Sequence, residues 1–178
     1  GQLYLGSEMG LLATLSVNRI MWDGKTETLP TWDQVAGDPT TYENTYDDDG
    51  NTLCLMSMNV SEQGRGQQLP KLLIQTLLDF STTAEVDHVI GSFRPSSYGH
   101  AVMSNVESGI DPIAFEDYAK ATNSDGYPAD PWLRSLTRNG MEQLTIDQKA
   151  MYVPVSRQEF EALQKPSWRQ IDMDNRNV

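Results

Sequence analysis

The chain has 178 residues, of which 38% are hydrophobic, and its formal net charge is −12 at pH 7. This length predicts one domain that buries a substantial core. The acidic balance argues against a nucleic-acid-binding protein, because phosphate backbones call for a basic surface. The sequence shows no apolar run of bilayer-spanning length and no basic-then-apolar leader, so we expect a cytoplasmic protein that does not enter a membrane.

The acidic run at 47–49 does not fit a calcium site, and the single cysteine does not fit a catalytic nucleophile. Asp47-Asp48-Asp49 looks like part of a calcium loop, but the glutamate expected at the twelfth position would fall on Met56. We therefore expect no metal site. Cys54 stands alone in an apolar strand pattern, so it is expected to be a buried small residue rather than a nucleophile.

The first half of the chain predicts two paired strands, a short helix and a third strand. β-forming residues at 11–20 predict a strand that pairs with residues 3–5. A capping box that begins at Thr31 predicts a helix at 31–37. A further strand is predicted at 52–60. Hairpin turns are predicted at Met9-Gly10 and Asp49-Gly50.

The second half alternates helices and strands. Apolar residues at helical spacing predict a helix at 69–80, and a mostly apolar run predicts a strand at 86–93. Helices are predicted at 115–122 and 131–139, the second with Asp130 as its N-cap. Residues 96–100 are expected to form a polar loop. The last predicted elements are a strand at 151–155, a helix at 156–163 and a loose tail at 172–178.

This order of elements predicts an α/β fold with a mixed, largely antiparallel sheet and flanking helices. Strands 52–60 and 86–93 are joined through helix 69–80, and such a connection predicts a parallel or splayed strand pair.

The loop between strand 52–60 and helix 69–80 has the composition of an anion-binding loop. Gly64 and Gly66 would let the backbone approach an anion, and Arg65 adds positive charge. The free N–H groups and the dipole at the helix start favour negative charge at the same place. Pro70 suits the first helical turn, where its missing N–H costs nothing. An ordinary exposed turn remains the alternative, since two glycines are a short motif.

Two nucleotide loops do not match this segment. A Walker A loop needs Lys-Ser or Lys-Thr after its second glycine, and Gly66 is followed by two glutamines. A dinucleotide loop needs three spaced glycines. The segment Gln63-Gly64-Arg65-Gly66-Gln67-Gln68 instead resembles the Gln-x-x-Gly-x-(Gly/Ala) coenzyme A pyrophosphate loop of the GCN5-related N-acetyltransferase (GNAT) superfamily. It departs from that pattern at Gln68, where the family prefers a small residue.

The resemblance implies a GNAT-like fold, and the usual N-terminal helices of that fold are expected to be absent. It implies one acyl-coenzyme A-binding domain over residues 1–171. The coenzyme A-binding residues that it implies are Asn59, Val60, Gln63, Gly64, Arg65, Gly66, Gln67 and Gln68.

Four further segments look like the GNAT-like domains of polyketide synthase loading modules. They are Gly91 to Ser96, Phe115 to Tyr118, Asp130 to Arg134, and Lys149-Ala150-Met151. This resemblance implies an acyltransferase with acetyl- or malonyl-coenzyme A as donor and the phosphopantetheine thiol of an acyl carrier protein as acceptor. It also implies that the domain is part of a larger multidomain chain.

The candidate catalytic residues are His100, Ser97, Arg134 and Thr137. Malonyl decarboxylation calls for donors that stabilise an enolate, and loading-module relatives use a hydroxyl and a histidine for this step. The expected histidine position in helix 131–139 holds Leu136 and Thr137 instead. Plain acyl transfer is therefore favoured over decarboxylation coupled to carrier loading. A catalytically silent domain that binds coenzyme A or a carrier arm is the third hypothesis.

For several other polar residues, a structural role explains the sequence at least as well as a functional one. Arg94 is expected at a strand end, either in a salt bridge or against substrate, and His88 at the start of a strand. Tyr98 or Tyr118 could protonate a leaving thiolate, but each is more often a packing residue.

Overall fold

The computed structural model describes residues 1–8, 10–37, 45–147, 150 and 156–158. Several expectations fall outside the described residues. They are Met9 of the first turn, Lys149 and Met151, the strand at 151–155, the helix at 156–163 beyond residue 158, and the tail at 172–178.

The described strands form one sheet in the order β1-β2-β3-β4. They are β1 (Gln2–Ser7), β2 (Gly10–Ile20), β3 (Thr52–Val60) and β4 (His88–Gly91). The β1–β2 and β2–β3 pairs are antiparallel and the β3–β4 pair is parallel. The predicted mixed sheet with one parallel strand pair is confirmed.

Five α-helices and a short 3₁₀ helix at Thr26–Thr28 accompany the sheet in the described part. The α-helices are α1 (Trp32–Ala36), α2 (Leu69–Thr83), α3 (Tyr98–Glu107), α4 (Phe115–Lys120) and α5 (Pro131–Arg138). The capping box at Thr31 is present, with Gln34 as its partner. The Asp130 carboxylate caps α5, as predicted.

The sheet packs apolar side chains on both of its faces. On one face α2 and α5 contribute Leu73, Leu77 and Leu136 to a cluster with Leu15 and Leu55 of the strands. On the other face a smaller cluster joins α1 to the sheet, and its buried members are Ile20, Trp22, Val35, Cys54 and Ile90. Both β2 and β3 contribute buried side chains to each cluster, so these two strands are the centre of the packing.

The expectation of a polar loop at 96–100 is wrong, because α3 begins at Tyr98. None of the side chains of α3 is fully buried, so its sequence lacks the strong apolar periodicity of a core helix. Gly99 in its first turn lowers helix propensity further. Packing holds this turn in place: the Tyr98 ring meets Phe115 at 5.1 Å and Tyr118 at 5.4 Å between centroids.

The hairpin predicted at Asp49-Gly50 is also wrong in part. Residues 48–49 form a turn, but residues 45–47 before it are not a strand. A Cβ on Gly50 would lie 2.6 Å from the backbone of Ile20. Close packing against the end of β2 therefore requires a glycine at this position. The Asp49-Gly50 pair reflects this packing and does not mark a turn between two strands.

Strand β4 is shorter than the predicted 86–93, because pairing with β3 ends at Leu55 and Gly91. Beyond this point Phe93 folds back over Gly91, whose missing Cβ would lie 2.8 Å from the Phe93 ring. The Phe93 ring then meets Trp132 of α5 edge-on at 6.1 Å. Pro95 follows and has no N–H to give to a ladder.

Strand β3 bends at the same point. Ser57 pairs with Ser16 and Leu55 pairs with Val17, so Met56 between them is an extra residue, a β-bulge. A bulge kinks its strand and increases its twist. The bulge in β3 and the departure of the chain after Gly91 together separate the two parallel strands.

Candidate functional site

The loop at 61–68 is built around a buried glycine. Gly64 is buried, and a Cβ there would lie 2.8 Å from the Leu12 carbonyl oxygen and 2.9 Å from the Leu69 side chain. The N–H of Ser61 ties the loop to β2 by donating to Leu12 at 2.8 Å. Gly64 is thus required by packing beneath the loop rather than by the approach of a ligand, which the sequence could not distinguish.

The other residues of the loop face solvent. Gln63, Arg65, Gly66, Gln67 and Gln68 are all exposed. Nothing lies within 4 Å of the position where a Gly66 Cβ would stand, and its φ is +77°. At Gly66 the backbone is therefore open to a neighbouring molecule, as the anion-loop prediction requires.

The loop uses some of its N–H groups internally and leaves others available. The amides of Gly64, Arg65 and Gln67 donate to carbonyls of Ser61, Glu62 and Gly64. In the part of the chain that the structure describes, the amides of Gly66 and Gln68 make no such bond. They adjoin the first turn of α2, whose N–H groups have no intrahelical acceptor.

Gln68 is the N-cap of α2 and has a left-handed backbone, with φ +56° and ψ +22°. This conformation costs a residue with a Cβ about 1–2 kcal/mol, and glycine adopts it without that cost. A glycine, which the loop pattern described above allows at this position, would avoid that cost. Gln68 therefore carries both strain and an exposed side chain at the mouth of the loop.

Among the described residues, the end of β3 is paired along one edge and open along the other. The Ser61 N–H donates toward β2, and backbone groups alternate in direction along a strand. The amide of Asn59 therefore points into the β2 ladder, and those of Met58 and Val60 point the other way. On that side β4 has already left, since its pairing stops at Leu55.

The residues after β4 are held by the carboxylate of Asp130. Asp130 is 1% exposed and accepts hydrogen bonds from the backbone N–H groups of Ser96 at 3.2 Å and Ser97 at 2.9 Å. Its other donors are the Ser96 and Tyr118 hydroxyls and the amides of Trp132 and Leu133. One carboxylate therefore joins the segment after β4 to α4 and α5.

This environment keeps Asp130 ionised. Burial acts to raise its pKa, but the backbone donors Ser97, Leu133, Ser96 and Trp132 outweigh burial and lower the pKa below the ordinary value of 3.8. The pKa of the Tyr118 hydroxyl is raised by burial and by the charge and hydrogen bond of Asp130. Asp130 is thus a structural anion, and sequence analysis identified only its capping role.

Among the described residues, no hydrogen bond joins the side chains of the four candidate catalytic residues to one another. His100 is exposed in the first turn of α3, and Ser97 precedes that helix, half-buried. Arg134 donates from Nη1 to the carbonyls of Pro128 at 3.0 Å and Ala129 at 2.9 Å. Thr137 is exposed, and its hydroxyl donates to the Leu133 carbonyl at 3.1 Å.

The other residues considered from the sequence make contacts that suit a structural role. Tyr98 donates to the Ile113 carbonyl at 3.2 Å and Tyr118 donates to Asp130 at 3.2 Å, so both hydroxyls are engaged. Burial raises the pKa of the Cys54 thiol to about 11, which suits an inert side chain. His88 begins β4, as predicted, and meets the Trp22 ring at 5.0 Å.

Sequence analysis missed the contact between Trp32 and the bulge. The Trp32 indole N–H donates to the Met56 carbonyl at 2.9 Å, at the point where β3 and β4 separate. The sequence shows a tryptophan directly after a helix N-cap. Its hydrogen-bond partner could not be predicted, because the bulge at Met56 depends on the register between β2 and β3.

Membrane spans and metal sites have no candidate among the described residues. No helix there is long and apolar enough to cross a membrane. The same residues contain no group of three or more His, Cys, Asp or Glu side chains that could hold a metal ion.

No protein-family model and no curated protein matches the sequence. Among solved structures, the chain is similar to the loading GNAT-like domain of CurA from Lyngbya majuscula, with a TM-score of 0.58 and 20% identity over 79% of this chain and 62% of that one. It is also similar to the GphF GNAT-like decarboxylase in complex with isobutyryl-CoA, with a TM-score of 0.50 and 21% identity over 78% of this chain and 63% of that one. The chain spans less than two thirds of the length of either structure. With its splayed parallel pair and the loop before α2, the chain has a GNAT-like fold.

Proposed function

We propose that this protein is an acyltransferase that binds acyl-coenzyme A and passes the acyl group to the phosphopantetheine thiol of an acyl carrier protein in polyketide biosynthesis. The observation that carries the proposal is the open edge of β3 at Met58 and Val60, which leads directly into a loop with unused N–H groups at Gly66 and Gln68. A thioester along the edge and a pyrophosphate at the loop would belong to one extended donor molecule.

The loop is the pyrophosphate-binding part of the proposal. The amides of Gly66 and Gln68 and the start of α2 would donate to phosphate oxygens, because helix starts favour anions. Arg65 is exposed beside them and would add a positive charge. The Gln68 side chain is exposed at the same place, and we expect the donor to move it aside or pack against it.

The open edge is the proposed place of the reaction. The carrier thiol attacks the thioester carbon, the carbonyl oxygen gains negative charge, and the coenzyme A sulfur leaves with the proton that the carrier thiol gives up. An amide donor at the carbonyl oxygen stabilises this charge. We assign that donor to Met58 or Val60 rather than to Asn59, since the Asn59 amide is used in the β2 ladder.

The proposal keeps catalytic roles for four residues, and the structure supports some of these roles better than others. They are His100, Ser97, Arg134 and Thr137. Ser97 is the first of the four in the segment that follows β4, and its backbone is fixed by the carboxylate of Asp130. His100 is exposed and free to meet an incoming carrier. Arg134 and Thr137 both donate to backbone carbonyls, which favours a structural contribution from each.

Decarboxylation of malonyl-coenzyme A coupled to carrier loading is the second candidate function. It is favoured by the likeness to a structure described as a GNAT-like decarboxylase. A domain that binds coenzyme A or a carrier arm without turnover is the third candidate, favoured by the engagement of the Arg134 and Thr137 side chains with backbone carbonyls.

One experiment separates the three functions. The purified protein is incubated with acetyl- or malonyl-coenzyme A and a holo acyl carrier protein, and the intact mass of the carrier and the release of carbon dioxide are followed. An apo carrier, which lacks the thiol arm, is the control. Acetylated carrier from acetyl-coenzyme A supports acyl transfer, carbon dioxide from malonyl-coenzyme A supports decarboxylation, and binding without turnover supports the silent domain.

The loop is tested separately by Arg65→Glu. Reversing this charge beside the unused amides is expected to weaken coenzyme A binding by about tenfold or more, as loss of a charge-assisted contact does. Glu62→Gln in the same loop, which removes a negative charge, is the control and should not weaken binding. Equal affinities of the wild type and Arg65→Glu would overturn the assignment of the loop.

A further inference from the structure

A basic cleft lies between α2 and α5. It has a volume of about 220 Å³ and is lined by Lys71 of α2 and by Arg134 and Arg138 of α5. Pro131, Ser135 and Asn139 complete its lining. The cleft therefore gathers three of the 13 lysines and arginines of a chain whose net charge is −12.

The three cations of this cleft have no acidic partner among the described residues. The ion pairs given by the structure there join Lys25 with Asp23 and Lys120 with Glu116. No carboxylate of the described residues lines the cleft. Like charges that converge without a counter-charge repel each other, and a bound anion would relieve that repulsion.

Two of the cations are held in place. Arg134 is anchored through Nη1 to the carbonyls of Pro128 and Ala129. The Arg138 guanidinium lies 5.1 Å from the centroid of the Tyr127 ring. Fixing these groups in advance lowers the entropy cost of binding an anion.

The cleft adjoins the proposed pyrophosphate loop. Lys71 follows the N-cap Gln68 by three residues, which corresponds to a rise of about 4.5 Å along α2. A larger cavity of about 370 Å³ contains Lys120, but that lysine is already paired with Glu116 in the same cavity. Of these two cavities, the smaller cleft is the one whose cations lack an acidic partner among the described residues, and its Lys71 lies one turn from the loop.

We propose that the cleft binds the 3′-phosphate of the adenosine moiety of coenzyme A. The inference rests on the proposed function, since it assumes that the pyrophosphate occupies the loop. The ribose that carries the pyrophosphate also carries the 3′-phosphate, so a second anionic group must lie one sugar away from the first. A dianionic phosphate is the group that two guanidiniums and an ammonium bind best.

The test compares coenzyme A with 3′-dephospho-coenzyme A by titration calorimetry, using the wild type and the variants Lys71→Gln and Arg138→Gln. The wild type is expected to bind coenzyme A on the order of tenfold more tightly than the dephospho form. Each cleft variant is expected to weaken coenzyme A binding while leaving the dephospho form nearly unchanged. Lys120→Gln, which removes an equal charge elsewhere, should retain the wild-type ratio.

The possible failures are distinguishable. Absence of binding to both nucleotides would contradict the proposed function itself. Equal binding of both, with Arg65→Glu still weakening them, would overturn the cleft assignment and leave the loop assignment standing. Cleft variants that bind coenzyme A normally but transfer less acyl group to the carrier would also overturn it, in favour of an acidic carrier surface as the occupant.

Discussion

The carboxylate of Asp130 accepts a hydrogen bond from the backbone N–H of Ser97 at 2.9 Å, although 33 residues separate the two in sequence. This bond, with those from Ser96 and from the first turn of α5, fixes the segment that follows β4. The position of that segment relative to the open edge of β3 therefore depends on one side chain.

Asp130→Asn is expected to destabilise the fold by about 1–3 kcal/mol, because the amide replaces a charged acceptor with a weaker one and adds donors where only donors are present. Urea unfolding followed by circular dichroism measures the change. Asp125→Asn at an exposed turn is the matched control and should stay within about 0.5 kcal/mol of the wild type.

The same carboxylate predicts a pH dependence. The pKa of Asp130 is lower in the folded chain than its ordinary value of 3.8, so its contribution to stability is complete above that value and is lost as the pH falls through the lower folded pKa. Acid titration of stability should show a steeper loss for the wild type than for Asp130→Asn. Parallel curves for the two proteins would contradict this role.

Proline substitutions along β3 test which amides face the open edge. Met58→Pro or Val60→Pro removes an outward N–H, and the variant that loses the oxyanion donor is expected to lose about 10²–10³-fold in acyl transfer while remaining folded. Asn59→Pro removes a ladder N–H and leaves its acceptor unpaired, which should cost about 1–3 kcal/mol of stability. Folding is measured by thermal unfolding and activity by carrier mass. A stable Asn59→Pro protein would show that the alternation is misassigned.

Gln68→Gly is expected to stabilise the protein by about 0.5–1 kcal/mol, because relief of the left-handed strain exceeds the added entropy of the unfolded chain. Gln68→Ala removes the same side chain but keeps the Cβ, so it should give no gain. The pair also separates backbone from side-chain effects on coenzyme A affinity. If the exposed Gln68 side chain narrows the site, both variants bind more tightly.

Gly64→Ala is expected to destabilise by about 1–3 kcal/mol, since the new Cβ would lie 2.8 Å from the Leu12 carbonyl oxygen. Gly99→Ala is the matched control. Nothing lies within 4 Å of the Cβ position at Gly99, and it stands in α3, so alanine there should stabilise by roughly 0.5–1 kcal/mol. Chemical unfolding of the two variants gives opposite signs if the packing at Gly64 is as described.

The Cys54 thiol is expected to resist alkylation in the folded protein at pH 8. Burial raises its pKa to about 11, and the thiolate is the reactive form. Its contribution to stability is complete below the ordinary value of 9.0 and is lost as the pH rises through about 11. Mass spectrometry should detect labelling only after denaturant is added, and rapid labelling of the native protein would refute the assignment.

Local signals in the sequence predicted much of the fold. The capping box at Thr31, the Asp130-Pro131 helix start and the apolar spacing of α2 are each decided by residues within a few positions of one another. Such signals act before tertiary packing, which is why these elements appear where they were predicted.

The features that shape the candidate site depend on contacts between distant segments. The bulge at Met56 follows from the register between β2 and β3, and the early end of β4 follows from Phe93 folding over Gly91. Helix α3 depends on rings of α4 rather than on its own sequence. The loop was predicted as a whole, but the separate reasons for Gly64 and Gly66 required the packing around each.

After β4 the chain is held by the Asp130 carboxylate and not by a strand ladder. Strands joined by a ladder stand about 4.8 Å apart whatever their side chains are. Here the segment after β4 is positioned by a carboxylate and the helices that it joins, so substitutions behind that segment can shift it without disturbing a strand pair. The shape of the candidate site can thus change through substitutions at positions outside it.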